Sequence, residues 1–184
     1  MVSLTPKDID LLLLDADGTI RRPKDGRDAP ISDPLDQMIM PECKAALKYW
    51  LQRVPAAIIT NQGGVPKYKS HKSCADEQYM TMGKVGWATG FVREIGIAYA
   101  FLGRGETCLR CQEHYGTSHH HETLYTGNFR KPNIGVWHLI QEDYGVNNPS
   151  RILVVGDRQS DLEFSQNLGS HFLWAHDWWN CTGD

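Results

Sequence analysis

An almost unbroken apolar run, Ile9–Leu14, constrains the fold of this chain more than any other feature. A run this short and apolar is typical of a strand buried on both faces, as in a parallel sheet covered by helices. It ends abruptly in the sequence DADGT at residues 15–19. The chain therefore places two carboxylates directly at the end of a buried strand.

Short apolar runs alternate with helical patterns along the rest of the chain, as in β-α units that build a parallel sheet. We predict further strands at Ala56–Ile59, Ile97–Leu102, Arg151–Val155 and His171–Ala175. Helices are predicted from Pro41 to Arg53, from Ser70 to Ile95, after Pro132, and from Ser160 to Gly169 with a Ser160–Glu163 capping box. The expected fold class is α/β, a Rossmann-like doubly wound parallel sheet in a single domain over residues 1–184.

Two segments lack a regular pattern. Ile20–Met40 is rich in Pro and charge and is predicted to be a loop, and residues 103–130 are predicted to form an irregular loop rich in Cys and His. A loop as long as the second is usually functional or held in place by something. Neither Asp17 nor Thr60 is followed by an insertion that clearly forms a separate domain, so we expect little or no cap domain.

The composition is that of a soluble globular protein, with 41% hydrophobic and 22% charged residues among 184. A net charge of −3 provides no general attraction to nucleic acid or anionic membranes. The basic stretch Arg21–Arg27 is nevertheless compatible with a local basic groove. The run Leu11–Leu14 is too short for a bilayer, which takes about 20 residues. With no signal-peptide core near the N-terminus and five cysteines that suit reduced thiols, a cytoplasmic location is expected.

Ligands bind beyond the carboxyl ends of the strands in open parallel sheets. Polar residues follow several predicted strands, and a lysine opens the helix after the Cys- and His-rich segment: Asp15, Asp17, Thr60, Asn61, Asp157 and Lys131. Because the sheet brings such ends to one edge, we expect these side chains to gather at a single site. At a helix start the dipole disfavours a cation, which favours a functional role for Lys131.

Two carboxylates that leave a buried strand two residues apart repel each other, and a divalent cation relieves that repulsion. Mg²⁺ prefers oxygen ligands, which makes candidates of Asp15, Asp17 and Asp157. Gly18 permits backbone angles that turn a carbonyl inward. The alternatives are structural: Asp is common in turns, the sequence after Thr60 is a good turn, and an acid at Asp161 suits the helix dipole.

Four motifs together resemble the haloacid-dehalogenase superfamily in order and approximate spacing: DADGT at 15–19, TNQ at 60–62, RKPNIG at 130–135 and VGDRQSD at 155–161. The second and third look like the subgroup of histidinol-phosphate and heptose-bisphosphate phosphatases. Polynucleotide 3′-phosphatases share related motifs. The resemblance spans most of the chain, from Leu11 to about Gly169.

The resemblance implies a Mg²⁺-dependent phosphatase with a covalent aspartyl-phosphate intermediate. Asp15 would be the nucleophile and Asp17 the general acid and base. The resemblance also implies that Mg²⁺ is held by the Asp15 carboxylate, the Asp17 backbone carbonyl and Asp157. The transferring phosphoryl group would be bound by Thr60, Asn61 and Lys131, with Asp161 and Arg130 in supporting roles.

One departure from the subgroup concerns zinc. The subgroup has a loop of the form Cys-x-His then Cys-x-Cys before the lysine, whereas this chain has Cys108-x-x-Cys111-x-x-His114 and a His run from His119. Cys108, Cys111, His114 and His119 are four N and S ligands that could form a structural tetrahedral Zn²⁺ site. The alternative is a polar loop with a chance histidine run.

An uncapped site admits a small phosphate ester or the end of a macromolecule. A small phosphorylated metabolite is the expected substrate by analogy with the subgroup. A polynucleotide 3′-phosphatase is the alternative, supported by the basic stretch Arg21–Arg27 but not by the net charge. A non-catalytic scaffold is the alternative of another class, and it is disfavoured because every catalytic position is filled.

Overall fold

The computed structural model of the protein describes residues 4–27, 31, 36–62, 95–104, 107–112 and 121–183. The strands of the described part are β1 (Leu11–Leu14), β2 (Arg21–Arg22), β3 (Met38–Ile39), β4 (Ala56–Asn61), β5 (Tyr99–Arg104), β6 (Thr107–Gln112), β7 (His121–Thr126), β8 (Ile152–Gly156) and β9 (His171–Trp174). Its α-helices are α1 (Lys44–Leu51), α2 (Val136–Tyr144), α3 (Gln159–Leu168) and α4 (Ala175–Trp178). None of these helices is both long and apolar enough to cross a membrane.

Five strands run parallel in the order β5-β4-β1-β8-β9, with β1 at the centre. The register pairs Leu12 with Ala56 of β4 and Leu13 with Val154 of β8. Strands β6 and β7 extend the β5 edge as antiparallel neighbours. The predicted α/β class, with a Rossmann-like parallel sheet, is confirmed.

Both faces of the sheet are buried. The even-numbered leucines of β1 pack in one apolar cluster with Trp50 of α1. The odd-numbered leucines pack in a second cluster with Ile140 of α2 and Phe164 of α3. All four are 0% exposed because successive side chains of a strand point to opposite faces, each covered here by helices. This double burial explains why the sequence of β1 has no polar alternation.

The start of α3 differs from the prediction. The backbone N–H of Arg158, the residue before the helix, donates to the Asp161 carboxylate at 3.0 Å, whereas the Glu163 carboxylate accepts from the Gln159 side chain at 3.2 Å. The predicted Ser160–Glu163 capping pair is therefore wrong, since the helix begins at Gln159 and Ser160 lies inside it. The helix ends as predicted at Gly169, whose φ of 78° lies in the left-handed region that favours glycine.

The segment predicted as an irregular loop at residues 103–130 contains β6 and β7, so that prediction is wrong for its described part. Arg110 of β6 donates to Asp143 of α2 at 2.6 Å, which ties the added strands to the helical layer. β7 is the edge strand of the sheet and β6 is antiparallel to both of its neighbours, and antiparallel strands can face water on one side, so neither strand needs a continuous apolar run. Polar content therefore obscured these two strands in the sequence.

The segment Ile20–Met40, predicted as a loop, carries the short antiparallel pair β2–β3, in which Arg21 faces Ile39. An isolated bridge between Asp17 and Arg21 connects this pair to the end of β1. The helix predicted at Ser70–Ile95 lies almost wholly outside the described residues, as does most of the region on which the cap prediction depends.

The Trp-rich C-terminal segment packs against the body of the protein. Trp178 is 0% exposed and belongs to the cluster that contains Trp50. The Trp50 indole N–H donates to the carbonyl of Cys181 at 3.1 Å, so the end of the chain is fixed to α1. The three cysteines whose side chains are described, Cys43, Cys108 and Cys181, are free thiols.

Truncation of Trp178 tests this packing. We expect Trp178→Ala to lower the free energy of unfolding by about 3–5 kcal/mol, because it leaves a large cavity in a closed core. The exposed neighbour His176 is the control, and His176→Ala should change stability by no more than about 0.5 kcal/mol. Urea denaturation followed by circular dichroism measures both, and equal stabilities would contradict the packing.

Candidate active site

Three neighbouring parallel strands end at one edge of the sheet and deliver the predicted residues there. Asp15 directly follows β1, Thr60 lies near the end of β4, and Asp157 directly follows β8. The Asp15 backbone N–H donates to the Val155 carbonyl at 2.9 Å, which continues the β1–β8 ladder one step beyond the last residue of β1. The convergence predicted from the sequence is therefore present in the structure.

Lys131 is a buried residue at the centre of this edge. Its Nζ lies 2.6 Å from Asp15 Oδ1 and 2.5 Å from Asp161 Oδ1. It also donates to the Ile59 carbonyl at 2.8 Å. The prediction that Lys131 opens a helix is wrong, because α2 begins only at Val136. The carboxylates, and not a helix terminus, determine the position of this cation.

Asn61 fixes the backbone of Lys131 from both sides. The Asn61 side-chain N–H donates to the Lys131 carbonyl at 3.1 Å, and its Oδ1 accepts from the Lys131 backbone N–H at 2.9 Å. The side chain predicted to bind phosphate is thus engaged with the chain itself. Asn61 positions the lysine across a sequence distance that no local pattern reveals.

The buried charges change one another's proton affinity. Burial raises the pKa of Asp15 to about 7, against the opposing effect of the Lys131 ammonium. Burial alone would lower the pKa of Lys131, but the carboxylates of Asp15 and Asp161 raise it above its ordinary value. The carboxylates therefore keep the lysine charged, and burial makes Asp15 a weaker acid than an exposed aspartate.

The acidic groups form a set that suits a divalent cation. Carboxylate oxygens of Asp15, Asp157 and Asp161 lie within 4.8 Å of one another. Oδ1 of Asp157 is buried and accepts no hydrogen bond from the described residues. Burial raises the pKa of Asp157, against the opposing charge of Arg158, whose Nε lies 3.2 Å from Asp157 Oδ2, and the charge of Asp161 adds to the rise. A cation with oxygen ligands would satisfy the orphaned oxygen and offset the excess negative charge, so the residues fit Mg²⁺.

This acidic set differs in one member from the set predicted. The Asp17 side chain is absent from it, and Asp161, predicted only to support the site, is present. The reason is the local backbone: the chain turns after Asp15, while Asp161 enters from the first turn of α3. The Asp17 carboxylate, predicted as a ligand from its spacing to Asp15, is therefore not a member of the set, while the Asp17 backbone carbonyl, which the family resemblance implies as a ligand, stays a prediction.

Gly18 allows the Asp17 turn to approach Asp157. Its φ is 79°, and a Cβ at this position would lie 2.3 Å from Asp157 Oδ2. Any side chain would therefore displace the carboxylate and strain the backbone. The glycine does more than make a turn, because it brings the end of β1 against the loop that follows β8.

The Asp17 carboxylate is 40% exposed and is held by Arg21 and Gln62. Neither residue was predicted from the sequence to be functional. Arg21 Nε lies 2.5 Å from one oxygen, and the Gln62 side-chain N–H donates to the other at 2.9 Å. Gln62 also donates to Thr60 Oγ1 at 2.9 Å, while the Arg21 guanidinium donates to Gln37. Gln62 lies within the TNQ motif, and that motif could have identified it as a functional residue. In the sequence, Arg21 is not distinguishable from the other basic residues of the 21–27 stretch.

These groups line a cleft of about 840 Å³. Asp15, Asp17, Thr60 and Lys131 lie along it. Arginines from three separate segments of the chain also line it: Arg21, Arg22, Arg27, Arg130 and Arg158. The cleft therefore combines a negative centre with a surrounding group of cationic side chains, an arrangement that suits a cation bound together with an anionic ligand.

The described residues give no support to the predicted zinc site. Cys108 is 0% exposed and packs in the apolar cluster beneath α2 and α3. Burial raises the pKa of its thiol to about 12, which disfavours the thiolate that binds zinc. Cys111 lies on β6, and His114 and His119 fall outside the described residues.

Comparison with known protein families gives a partial match. A family model described as HAD-hydrolase-like matches residues 128–176, the segment that carries Lys131, Asp157 and Asp161. No curated protein sequence matches the chain.

Solved structures with a similar course of the chain share little sequence with it. A haloacid dehalogenase-like hydrolase from Streptococcus pneumoniae has a TM-score of 0.48 at 11% identity, with 91% of this chain and 85% of that chain covered. A Lactobacillus plantarum protein described as a phosphoglycolate phosphatase has 0.49 at 14%, covering 93% and 87%. A Thermotoga maritima protein described as a beta-phosphoglucomutase has 0.48 at 10%, covering 94% and 97%. At these scores the likenesses carry no information on activity.

The proposed cation site predicts a stabilising effect of Mg²⁺. We expect saturating Mg²⁺ to raise the melting temperature, since a ligand at 100 times its Kd adds about 2.7 kcal/mol of stability. Asp157→Asn should lose most of this rise, and its metal-free stability should not fall, because the variant removes a carboxylate whose pKa is raised by burial and by Asp161.

The matched control is Asp10→Asn, which neutralises an exposed carboxylate paired with Arg151 at the opposite end of β1. Its melting temperature should respond to Mg²⁺ as the wild type does. Thermal denaturation in EDTA and in MgCl₂ provides the comparison. An equal rise in Asp157→Asn and the wild type would place the cation elsewhere.

The family-model match supports the resemblance over residues 128–176, and membership of the subgroup of histidinol-phosphate and heptose-bisphosphate phosphatases stays a prediction.

Proposed function

We propose that this chain is a Mg²⁺-dependent phosphomonoester hydrolase that acts through an aspartyl-phosphate on Asp15. The observation that carries the proposal is the position of the Asp15 carboxylate. It lies at the cleft, 2.6 Å from the buried ammonium of Lys131 and beside the acidic groups of Asp157 and Asp161. The HAD-hydrolase-like match over residues 128–176 supports the reaction class.

In the first step an oxygen of Asp15 forms a bond to phosphorus while the bond from phosphorus to the leaving oxygen breaks. Lys131 holds Asp15 in place and offsets the charge of the transferring phosphoryl group. Asp15 and Asp157 would hold Mg²⁺, with the Asp17 carbonyl as a further ligand and Asp161 beside them. When bound, the ion supplies positive charge that lets an anionic nucleophile approach an anionic phosphate.

Asp17 is the proposed general acid and base. It would give a proton to the leaving oxygen, and then take one from the water that hydrolyses the aspartyl-phosphate and regenerates Asp15. Gln62 and Arg21 each hold one oxygen of its carboxylate, so the group is oriented before substrate arrives. Thr60 is also buried at the cleft, and it would donate its hydroxyl to a phosphoryl oxygen.

The proposed substrate is a small phosphorylated metabolite, consistent with a cleft of about 840 Å³. The arginines along the cleft favour a second candidate, a polynucleotide 3′-phosphatase. Arg130 and Arg158 are exposed there, and cationic side chains beside a phosphate site suit a phosphodiester backbone.

Loss of the nucleophile tests the reaction. We expect Asp15→Asn to abolish hydrolysis of p-nitrophenyl phosphate, and EDTA to abolish it in the wild type, because both the covalent step and the cation are required. Asp10→Asn, which changes an exposed aspartate away from the cleft, should retain wild-type kcat/KM. Activity that survives Asp15→Asn would eliminate the covalent mechanism.

A comparison of substrates separates the two candidates. A metabolite phosphatase should show a higher kcat/KM on a sugar phosphate than on a 3′-phosphorylated oligonucleotide. A polynucleotide enzyme should show the reverse, and its activity should fall steeply between low and moderate salt, as contacts to several phosphates require. Release of inorganic phosphate measures both, and a 5′-phosphorylated oligonucleotide of the same sequence is the control.

A further inference from the structure

The turn that follows the proposed nucleophile is hydrogen-bonded on its core side to the C-terminal segment. The indole N–H of Trp179 donates to the backbone carbonyl of Thr19 at 2.9 Å. Thr19 is 0% exposed, so this carbonyl would have no water to replace a lost donor. Trp179 packs against the same apolar cluster that contains Trp178 and Trp50, so the donor is itself held in position.

Thr19 occupies the centre of a closed turn. The Ala16 carbonyl accepts hydrogen bonds from the backbone N–H groups of Thr19, Ile20 and Arg21, at 3.3, 3.1 and 3.0 Å. The Gly18 N–H donates to the Arg21 carbonyl at 2.9 Å, which closes the same turn from the other side. The Thr19 N–H shares its acceptor with the N–H groups of Ile20 and Arg21. A displacement of Thr19 would therefore disturb the hydrogen bonds that close the turn.

The two ends of this turn carry the general acid and one of the groups that orients it. Asp17 precedes Thr19 by two residues and Arg21 follows it by two, and their side chains form the ion pair at 2.5 Å. On the far side, the Ile20 carbonyl accepts from the Met40 N–H at 3.0 Å. The Trp179 indole holds the Thr19 carbonyl. The next residue, Ile20, is held by Cys43, whose Sγ donates to the Ile20 carbonyl at 3.6 Å, and by its own side chain in the apolar cluster.

We infer that Trp179 is a positioning residue for the general acid: through the Thr19 carbonyl it holds the 16–21 turn so that the Asp17 carboxylate faces the leaving oxygen. The C-terminal segment thereby becomes part of the catalytic apparatus although it does not line the cleft. This inference rests on the proposed function, since it assigns Trp179 to the protonation step of that reaction.

The protonation step can be isolated by the choice of leaving group. p-Nitrophenolate leaves as a stable anion and needs little help from an acid, whereas the alkoxide of p-nitrobenzyl phosphate must be protonated as it leaves. The two esters differ by one methylene. The constant kcat/KM reports only the steps up to release of this first alcohol, so later hydrolysis of the aspartyl-phosphate does not affect the comparison.

We expect Trp179→Phe, which keeps an aromatic ring but has no N–H, to lower kcat/KM for p-nitrobenzyl phosphate by about 10- to 100-fold. For p-nitrophenyl phosphate the decrease should be less than about threefold, as expected when acid catalysis contributes little. Asp17→Asn should show the same selectivity to a greater degree. Partial unfolding lowers both constants by one factor, so their ratio is insensitive to it.

The matched control is Trp178→Phe, which makes the same chemical change one residue away. The Trp178 indole N–H has no acceptor among the described residues, so its loss should leave the ratio of the two constants at the wild-type value. A ratio in Trp179→Phe equal to that of the wild type would overturn the inference. Absence of wild-type activity on both esters would instead overturn the proposed function and the inference with it.

Discussion

The ion group formed by Lys131, Asp15 and Asp161 determines the arrangement of the site. All three side chains are buried, and removal of such charges from water costs several kcal/mol per ion unless each finds a partner. The lysine provides that partner to both carboxylates, at 2.6 and 2.5 Å. Because its members come from the end of β1, the loop before α2 and the first turn of α3, the group also connects distant parts of the chain.

The Lys131 ammonium serves two buried carboxylates, and the exposed Arg158 guanidinium, 3.2 Å from Asp157 Oδ2, is screened by solvent and offsets little of the third. Asp157 adds a third carboxylate within 4.8 Å of the other two, with a buried oxygen that no described residue satisfies. A bound cation would both neutralise the excess negative charge and coordinate the unsatisfied oxygen. The stability of the site and its proposed chemistry thus depend on the same electrostatic imbalance.

Close backbone approach is what makes the acidic set possible. A Cβ on Gly18 would lie 2.3 Å from the Asp157 carboxylate, and one on Gly156 would lie 2.4 Å from Asp161. Each glycine lets one acidic segment contact the next. Asp17, two residues from Asp15, is instead turned toward Arg21 and Gln62, so neighbouring carboxylates acquire different environments and can serve different roles.

The central layer of the fold could be predicted from the order of the amino acids alone. Apolar runs such as Leu11–Leu14 predict buried strands because only a doubly covered strand can bury every side chain, and parallel strands place their polar ends at one edge. This reasoning located Asp15, Thr60, Lys131 and Asp157 at a common site. It failed for β6 and β7, because antiparallel strands at and beside the edge of a sheet need no continuous apolar run.

The partners of the functional side chains follow from long-range contacts in the folded protein. Lys131 meets Asp15 across 116 residues, and Trp179 meets Thr19 across 160. The assignment of Asp161 to the acidic set, of Asn61 to the lysine backbone, and of Gln62 to Asp17 likewise depends on contacts between separate loops. Local patterns record which segments are strands or helices, whereas side-chain partners are selected by distances that exist only after the sheet has assembled.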